Sequence, residues 1–98
     1  MPRKAIVHPL FQVDIDEAVV WYESKSPGLG ARFEGHLNAC LHKIEERPLS
    51  FQAARGNLRQ ARLVDFPYGV VFEVVSDLLL IHGVFHLARD RSVWESRT

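Results

Sequence analysis

Two β-prone runs separated by only two residues constrain this chain more than any other feature. Val70–Val75 and Leu78–Leu87 flank Ser76-Asp77, and strands joined by so short a turn pair antiparallel. An isolated hairpin is marginal in water, so the rest of the chain has to supply further strands and a cover for the apolar face. Arg59–Phe66, ended by the turn signal Pro67-Tyr68-Gly69, predicts a third strand ahead of the hairpin. Leu49–Leu58 between it and the preceding segment is mixed in character and is expected to be loop. Near the start, Lys4–His8 is β-branched in its middle and closed by Pro9, the pattern of an edge strand.

The cover comes from two helical stripes. Ile15, Ala18, Val19 and Tyr22 recur at helical spacing, which predicts a helix from about Asp14 to Ser24 buried on that face. Asp14-Ile15-Asp16-Glu17 has the spacing of a capping box at its start. Ser26-Pro27-Gly28 then breaks the chain, with Ser26 placed to cap a second helix and Pro27 near its first turn. Phe33, Leu37, Cys40, Leu41 and Ile44 carry that helix to Glu46 or Arg47, where Pro48 stops it. The element order is therefore β-α-α-β-β-β. The expected fold is α+β: a helical hairpin packed on one face of an antiparallel sheet meander.

Ninety-eight residues, 47% of them hydrophobic, suffice for one domain spanning 1–98 with a single core. One cysteine, Cys40, cannot form an internal disulfide, which favours a reducing cytoplasm. The opening Met1-Pro2-Arg3-Lys4 leads directly into the first strand, so no secretory leader is expected. No apolar run approaches the roughly 20 residues of a membrane span, and no membrane partner is expected. Twelve basic and twelve acidic side chains leave the molecule without net charge, so no overall field draws it onto nucleic acid. The distribution is uneven, however: residues 1–46 are net −2, whereas Arg47, Arg55, Arg59 and Arg62 form an acid-free basic stretch. That stretch reads either as a local binding patch or as solvated arginines around a polar loop.

Several short motifs carry a family likeness. Asp16-Glu17-Ala18 with Trp21-Tyr22-Glu23, then Ser26-Pro27-Gly28-Leu29-Gly30 and Phe33, resembles the helical hairpin of RelE/ParE-type toxins. Arg62, Phe66-Pro67-Tyr68 and Val70-Val71-Phe72 resemble the sheet of the same superfamily. Val84-Phe85-His86-Leu87-Ala88-Arg89-Asp90 is similar to the closing strand and H-x-x-R-D signature of its plasmid-stabilisation branch, and Trp94 stands where that branch often has an aromatic. The resemblance runs in order from about residue 4 to residue 95. It implies the toxin half of a type II toxin–antitoxin system, neutralised by a cognate antitoxin in a toxin–antitoxin hetero-oligomer. ParE-like members inhibit growth by binding DNA gyrase without being enzymes, whereas RelE-like members cleave mRNA on the ribosome. No cofactor is implied.

The residues themselves bear on that choice. RNA cleavage needs help for the attacking 2′-hydroxyl, cations for the developing phosphorane charge and an acid for the leaving oxygen. Arg62, His86 and Arg89 are the candidates for those catalytic roles, each with a structural alternative. Arg59 and Arg62 lie three apart, so a regular strand turns them to opposite faces. The same alternation places His82 and His86 together with Val84, opposite Ile81, Gly83 and Phe85. Past Asp90 the chain has no tyrosine, and past Lys43 it has no lysine, which favours a ParE-like protein-binding toxin. Partner contacts are expected from Trp21, Arg59, Arg62 and Trp94. Trp21 adjoins Tyr22, so only one of the two can lie fully in the core; Trp21 either faces a partner or closes the hairpin near Phe33. A metal is rejected: His36 and Cys40 share helical spacing, but Cys40 falls in the apolar stripe and no second Cys/His pair has ligand spacing.

Overall fold

Phe11 sits one helical turn before Ile15, and the two begin a buried stripe that Ala18 and Tyr22 continue. Burial of that stripe sets the first helix, α1 (Phe11–Lys25), three residues earlier than the capping-box spacing predicts. Its N-cap is Leu10, which makes no side-chain cap; His8 holds the entry instead, its Nδ1 accepting the Leu10 amide at 3.0 Å. The computed structural model describes residues 3–89 and 95–97. Before α1 comes β1 (Lys4–Val7), and after it α2 (Leu29–Glu46), a short 3-10 turn (Pro48–Ser50), β2 (Ala53–Arg55), β3 (Leu58–Arg62), β4 (Tyr68–Val75) and β5 (Leu78–His86).

The turn between the helices is built differently from its expected form. Gly28, at φ 87°, is the N-cap of α2, and no serine side chain caps it. The cap is provided across the hairpin: the Glu23 carboxylate accepts the Gly28 amide at 2.9 Å and the Gly30 amide at 3.0 Å. An anionic acceptor on orphan amides at the positive end of a helix is favourable on two counts.

The sheet has the order β1-β5-β4-β3-β2. β3, β4 and β5 form the expected antiparallel meander, but the sheet is mixed, because β1 runs parallel to β5. Two helices between β1 and the rest of the sheet give the connection length that a parallel neighbour requires. The segment expected as loop contains a further short hairpin strand, β2, turned at Gly56 with φ 55°. Ala53-Ala54-Arg55 has no β-branched or aromatic residue, so its pairing comes from the neighbouring strand and not from propensity. Tyr68 and Gly69, read as turn, open β4; the preceding bend lies at Asp65, which takes φ 65°.

Both helices cover one face. Phe33, Ile44, Val70 and Phe72 are fully buried between the layers. Tyr22, Phe33, Phe66 and Tyr68 form an aromatic cluster, with ring centroids 4.8 Å apart for Tyr22–Phe66 and 5.2 Å for Phe33–Tyr68. The other face carries a smaller buried pair, Val71 and Phe85, with Leu58 against it. Arg97 stacks its guanidinium 4.7 Å above the Phe85 ring, and Glu95 pairs with Arg55 at 3.6 Å, so residues 95–97 lie over this second face.

Cys40 points into the main core and donates to the Ala61 carbonyl at 3.6 Å. Burial pushes its thiol up to about 11, with Lys43 opposing part of the rise. A thiol whose folded value exceeds its unfolded value near 9 adds stability that is fully present below pH about 9 and is lost as the pH climbs toward 11. A thiol reagent at pH 8 is therefore expected to leave native Cys40 unmodified and to label it fully in denaturant, as mass spectrometry can count. Rapid labelling of the native chain would place the thiol outside the core.

Candidate functional site

β1 covers only the first part of β5, and a cleft of about 600 Å³ opens between α1 and the stretch of β5 left uncovered. Val13, Glu17 and Trp21 form its helical wall, Val84 and Tyr68 its floor, and Arg89 stands at one end. The helical wall continues outward into an apolar surface. Leu10, Val13 and Trp21 are each 46% exposed and Val20 is 68% exposed, so α1 is apolar on two sides, only one of which meets the core. Trp21 rests edge-on against Tyr22, with centroids 4.9 Å apart, and Lys25 lies 5.0 Å above its ring. Its outer side is open. An exposed apolar stripe of this kind, crossed by Glu17 and edged by Asp16, is the usual mark of a protein-binding surface.

The closed end of the cleft is polar. Arg89 Nη2 donates to the Tyr68 hydroxyl at 3.3 Å, and the His86 ring packs edge-on to Tyr68 at 5.3 Å. His86 Nδ1 accepts the amides of Ala88 and Arg89, at 3.3 and 3.2 Å. In that role Nδ1 carries no hydrogen, which leaves the ring proton on Nε2. The imidazole thus caps the turn that positions Arg89. Burial, aided by the neighbouring Tyr68 hydroxyl and partly opposed by Arg89, raises the Tyr22 phenol above its ordinary range.

The sheet separates the remaining candidates. Tyr68 lies opposite His86 on the helical face, while Arg62, Gly69 and Phe85 stand in one row on the other. Arg62 is exposed there, and His86 and Arg89 are on the far side of the sheet from it. Arg59 takes the helical face, opposite Phe72, and its Nη1 donates to the Phe51 carbonyl at 2.6 Å. Arg55 is occupied by Glu95. The basic stretch accordingly does not converge on one surface. Trp94, and Asp90 of the H-x-x-R-D signature, lie outside the described residues.

One expected alternation is corrected. Val71 pairs with Gly83 while Phe72 pairs with Ile81, so His82 is an extra residue, a β-bulge. Past the bulge the side chains change faces: Ile81 and Val84 both join the main core, and His82 leaves His86 for the opposite face. There its Nε2 meets Glu73 Oε1 at 2.9 Å. His36 and Cys40 also part company, since His36 Nε2 turns toward Asp65 at 3.8 Å and Cys40 turns inward. Among the described residues no three His, Cys, Asp or Glu side chains come together to hold a metal ion. No helix among them is long and apolar enough to cross a membrane.

Two site features escape sequence reasoning. Asp14, read as part of a cap, forms a bidentate ion pair with Arg97 at 2.5 and 3.1 Å, across 83 residues of chain. Glu23, unremarked except as a motif letter, holds the interhelical turn. Neither has a local spacing rule that would have exposed it.

No protein-family model and no curated protein sequence matches this chain. Solved structures do. A chain of the chromosomal ParDE toxin–antitoxin system from P. aeruginosa superposes with a TM-score of 0.75 at 11% identity, covering 87% of this chain and 96% of that one. A chain of the toxin–antitoxin complex RelBE2 from Mycobacterium tuberculosis superposes with a TM-score of 0.58 at 14% identity, covering 88% and 99%. The chain therefore has the fold of the RelE/ParE toxin superfamily.

Proposed function

We propose that this chain is the toxin of a type II toxin–antitoxin pair, acting in the cytoplasm in the ParE manner: it binds an essential protein target, DNA gyrase, and a cognate antitoxin silences it. The observation that carries the reading is the uncovered apolar stripe Leu10, Val13, Val20 and Trp21 beside the α1–β5 cleft. Such a surface suits a protein partner, because desolvating it against apolar side chains is favourable, whereas nucleic acid would offer it phosphates. The fold shared with chains of ParDE and RelBE2 complexes supports an antitoxin as the first partner. Trp21 is the anchor of the proposed surface, and exposed Arg62 is available to a partner on the opposite face.

The ParE-like reading is favoured over a ribosome-dependent mRNA endonuclease because Arg62 and the His86–Arg89 pair stand on opposite faces of the sheet. A phosphorane needs its cation and its proton donor around one phosphate. The endonuclease reading draws on the Tyr68–His86–Arg89 cluster, which gathers a phenol, an imidazole and a guanidinium at one end of the cleft.

Purified chain is expected to stop supercoiling by DNA gyrase and to leave ribosome-bound mRNA intact. Trp21→Ala is expected to weaken partner binding by about 2 kcal/mol, roughly 30-fold, in a titration against antitoxin or gyrase. Simultaneous alanine substitution of Arg62, His86 and Arg89 should leave growth inhibition in place. Metal-independent cleavage of mRNA on the ribosome, abolished by that triple substitution, would replace this reading with the endonuclease one.

A further inference from the structure

β5 is nine residues long, and β1 covers only its first four, Leu78–Ile81. The last bond of that pairing runs from the His8 amide to the Ile81 carbonyl at 2.8 Å. From His82 onward β5 borders the sheet, and no strand among the described residues pairs with it on that side. Its sequence, Leu-Leu-Leu-Ile-His-Gly-Val-Phe-His, has no Asp, Glu, Lys, Arg or Pro. An uncharged, proline-free edge is a template for pairing with another chain; the bulge at His82 twists this one, and native proteins block such edges further with charged side chains.

Two side chains stand on this edge. Asp14 Oδ2 accepts the Val84 amide at 3.4 Å, and Arg97 Nη1 donates to the His82 carbonyl at 3.3 Å. A donor and an acceptor that an incoming strand would use are thus already taken. The two side chains grip each other through their bidentate pair and are only 12% and 9% exposed. The Phe85 ring backs the Arg97 guanidinium from below. Gly83 makes the space: a Cβ there would stand 2.5 Å from Phe85 Cζ, 2.6 Å from Arg97 Nη1 and 2.7 Å from Asp14 Oδ2. The first turn of α1, the bulge in β5 and residue 97 meet at this one place.

We propose that the Asp14–Arg97 pair is an edge guard, which keeps His82–Val84 from pairing antiparallel with the same edge of a second copy of this chain. A desolvated ion pair contributes little net stability compared with apolar packing, and specificity is its better-attested use. A second copy is the occupant excluded, because antiparallel pairing about a twofold axis matches an edge with itself and needs no other complementary sequence. The adjoining cleft of about 600 Å³ gives an incoming extended segment room to lie beside β5. The guard works whichever cellular target the molecule has.

The test uses the full chain and its Arg97→Ala variant, followed by sedimentation velocity over a wide concentration range and by amide hydrogen exchange. The parent chain is expected to sediment as a monomer at every concentration. R97A is expected to keep its far-UV circular dichroism and to shift to a species of twice the mass as concentration rises. Its Val84 amide should exchange quickly when dilute and slowly in the dimer. R97A that stays monomeric with a fast-exchanging Val84 overturns the proposal, as does a dimer in which the Val84 amide remains fast. A parent chain already dimeric through this edge overturns it too. Loss of the R97A fold would make the pair a tie that holds the structure together, and would equally end the guard reading.

Discussion

Phe33→Ala is expected to destabilise the chain by about 3–5 kcal/mol, the cost of removing a large aromatic from a filled core. Phe33 is fully buried and lies between the layers, within 5.4 Å of Tyr22, 5.3 Å of Phe66 and 5.2 Å of Tyr68, centroid to centroid. The three neighbours belong to α1, to the bend after β3 and to β4, so no single element can collapse into the space. Against a typical domain stability of about 5–15 kcal/mol, the variant should be marginal, with a melting temperature lower by on the order of 20 °C. Urea titration would show the midpoint falling with an unchanged slope. A loss below about 1 kcal/mol would mean that the aromatic cluster is not the centre of the core.

Gly30→Val should be the next most damaging single change, at about 2–3 kcal/mol from overpacking. Gly30 lies in the first turn of α2, where that helix presses on α1. A Cβ would stand 2.9 Å from the Val19 carbonyl oxygen and 3.1 Å from both Val19 Cγ1 and Glu23 Oε1. The nearest atom is backbone, so relief requires the helices to separate, and separation pulls Glu23 off the Gly28 and Gly30 amides. Gly30→Ala sharpens the test. Helix propensity alone favours alanine by about 1 kcal/mol, so an alanine variant less stable than the parent isolates the crossing contact. Thermal melts of the two variants decide it, and a valine variant as stable as the parent would show that the crossing yields freely.

The RelE/ParE likeness was legible because it rests on local signals in a fixed order. The apolar stripes, the Ser-Pro-Gly break and the two-residue turn at Ser76-Asp77 each express a preference of a few consecutive residues, and the solved-structure comparisons agree with the fold they imply. The proposed site was legible only in part. That Trp21 and Tyr22 could not both be buried follows from adjacency on a helix, and Trp21 is the one left half-exposed. The opposite facing of Arg59 and Arg62 follows from strand alternation, and holds because β3 is regular. The same rule fails for His82 and His86, because one bulged residue between them resets it. No propensity marks that bulge.

The order of the helices and of every strand but β2, the buried stripes and the antiparallel β3–β5 meander could be read from the chain directly, since each depends on periodicity within one segment or on a turn too short to permit another connection. The parallel pairing of β1 with β5, the bulge at His82, the Glu23 cap and the Asp14–Arg97 pair required the folded molecule. Each of these joins groups whose spacing obeys no helical or strand period, and Asp14 reaches Arg97 only because helix, sheet edge and residues 95–97 have already been brought together. An electrostatic contact between such distant residues has no local free energy to leave a pattern; it acts only after packing has paid the entropy of closing the loop.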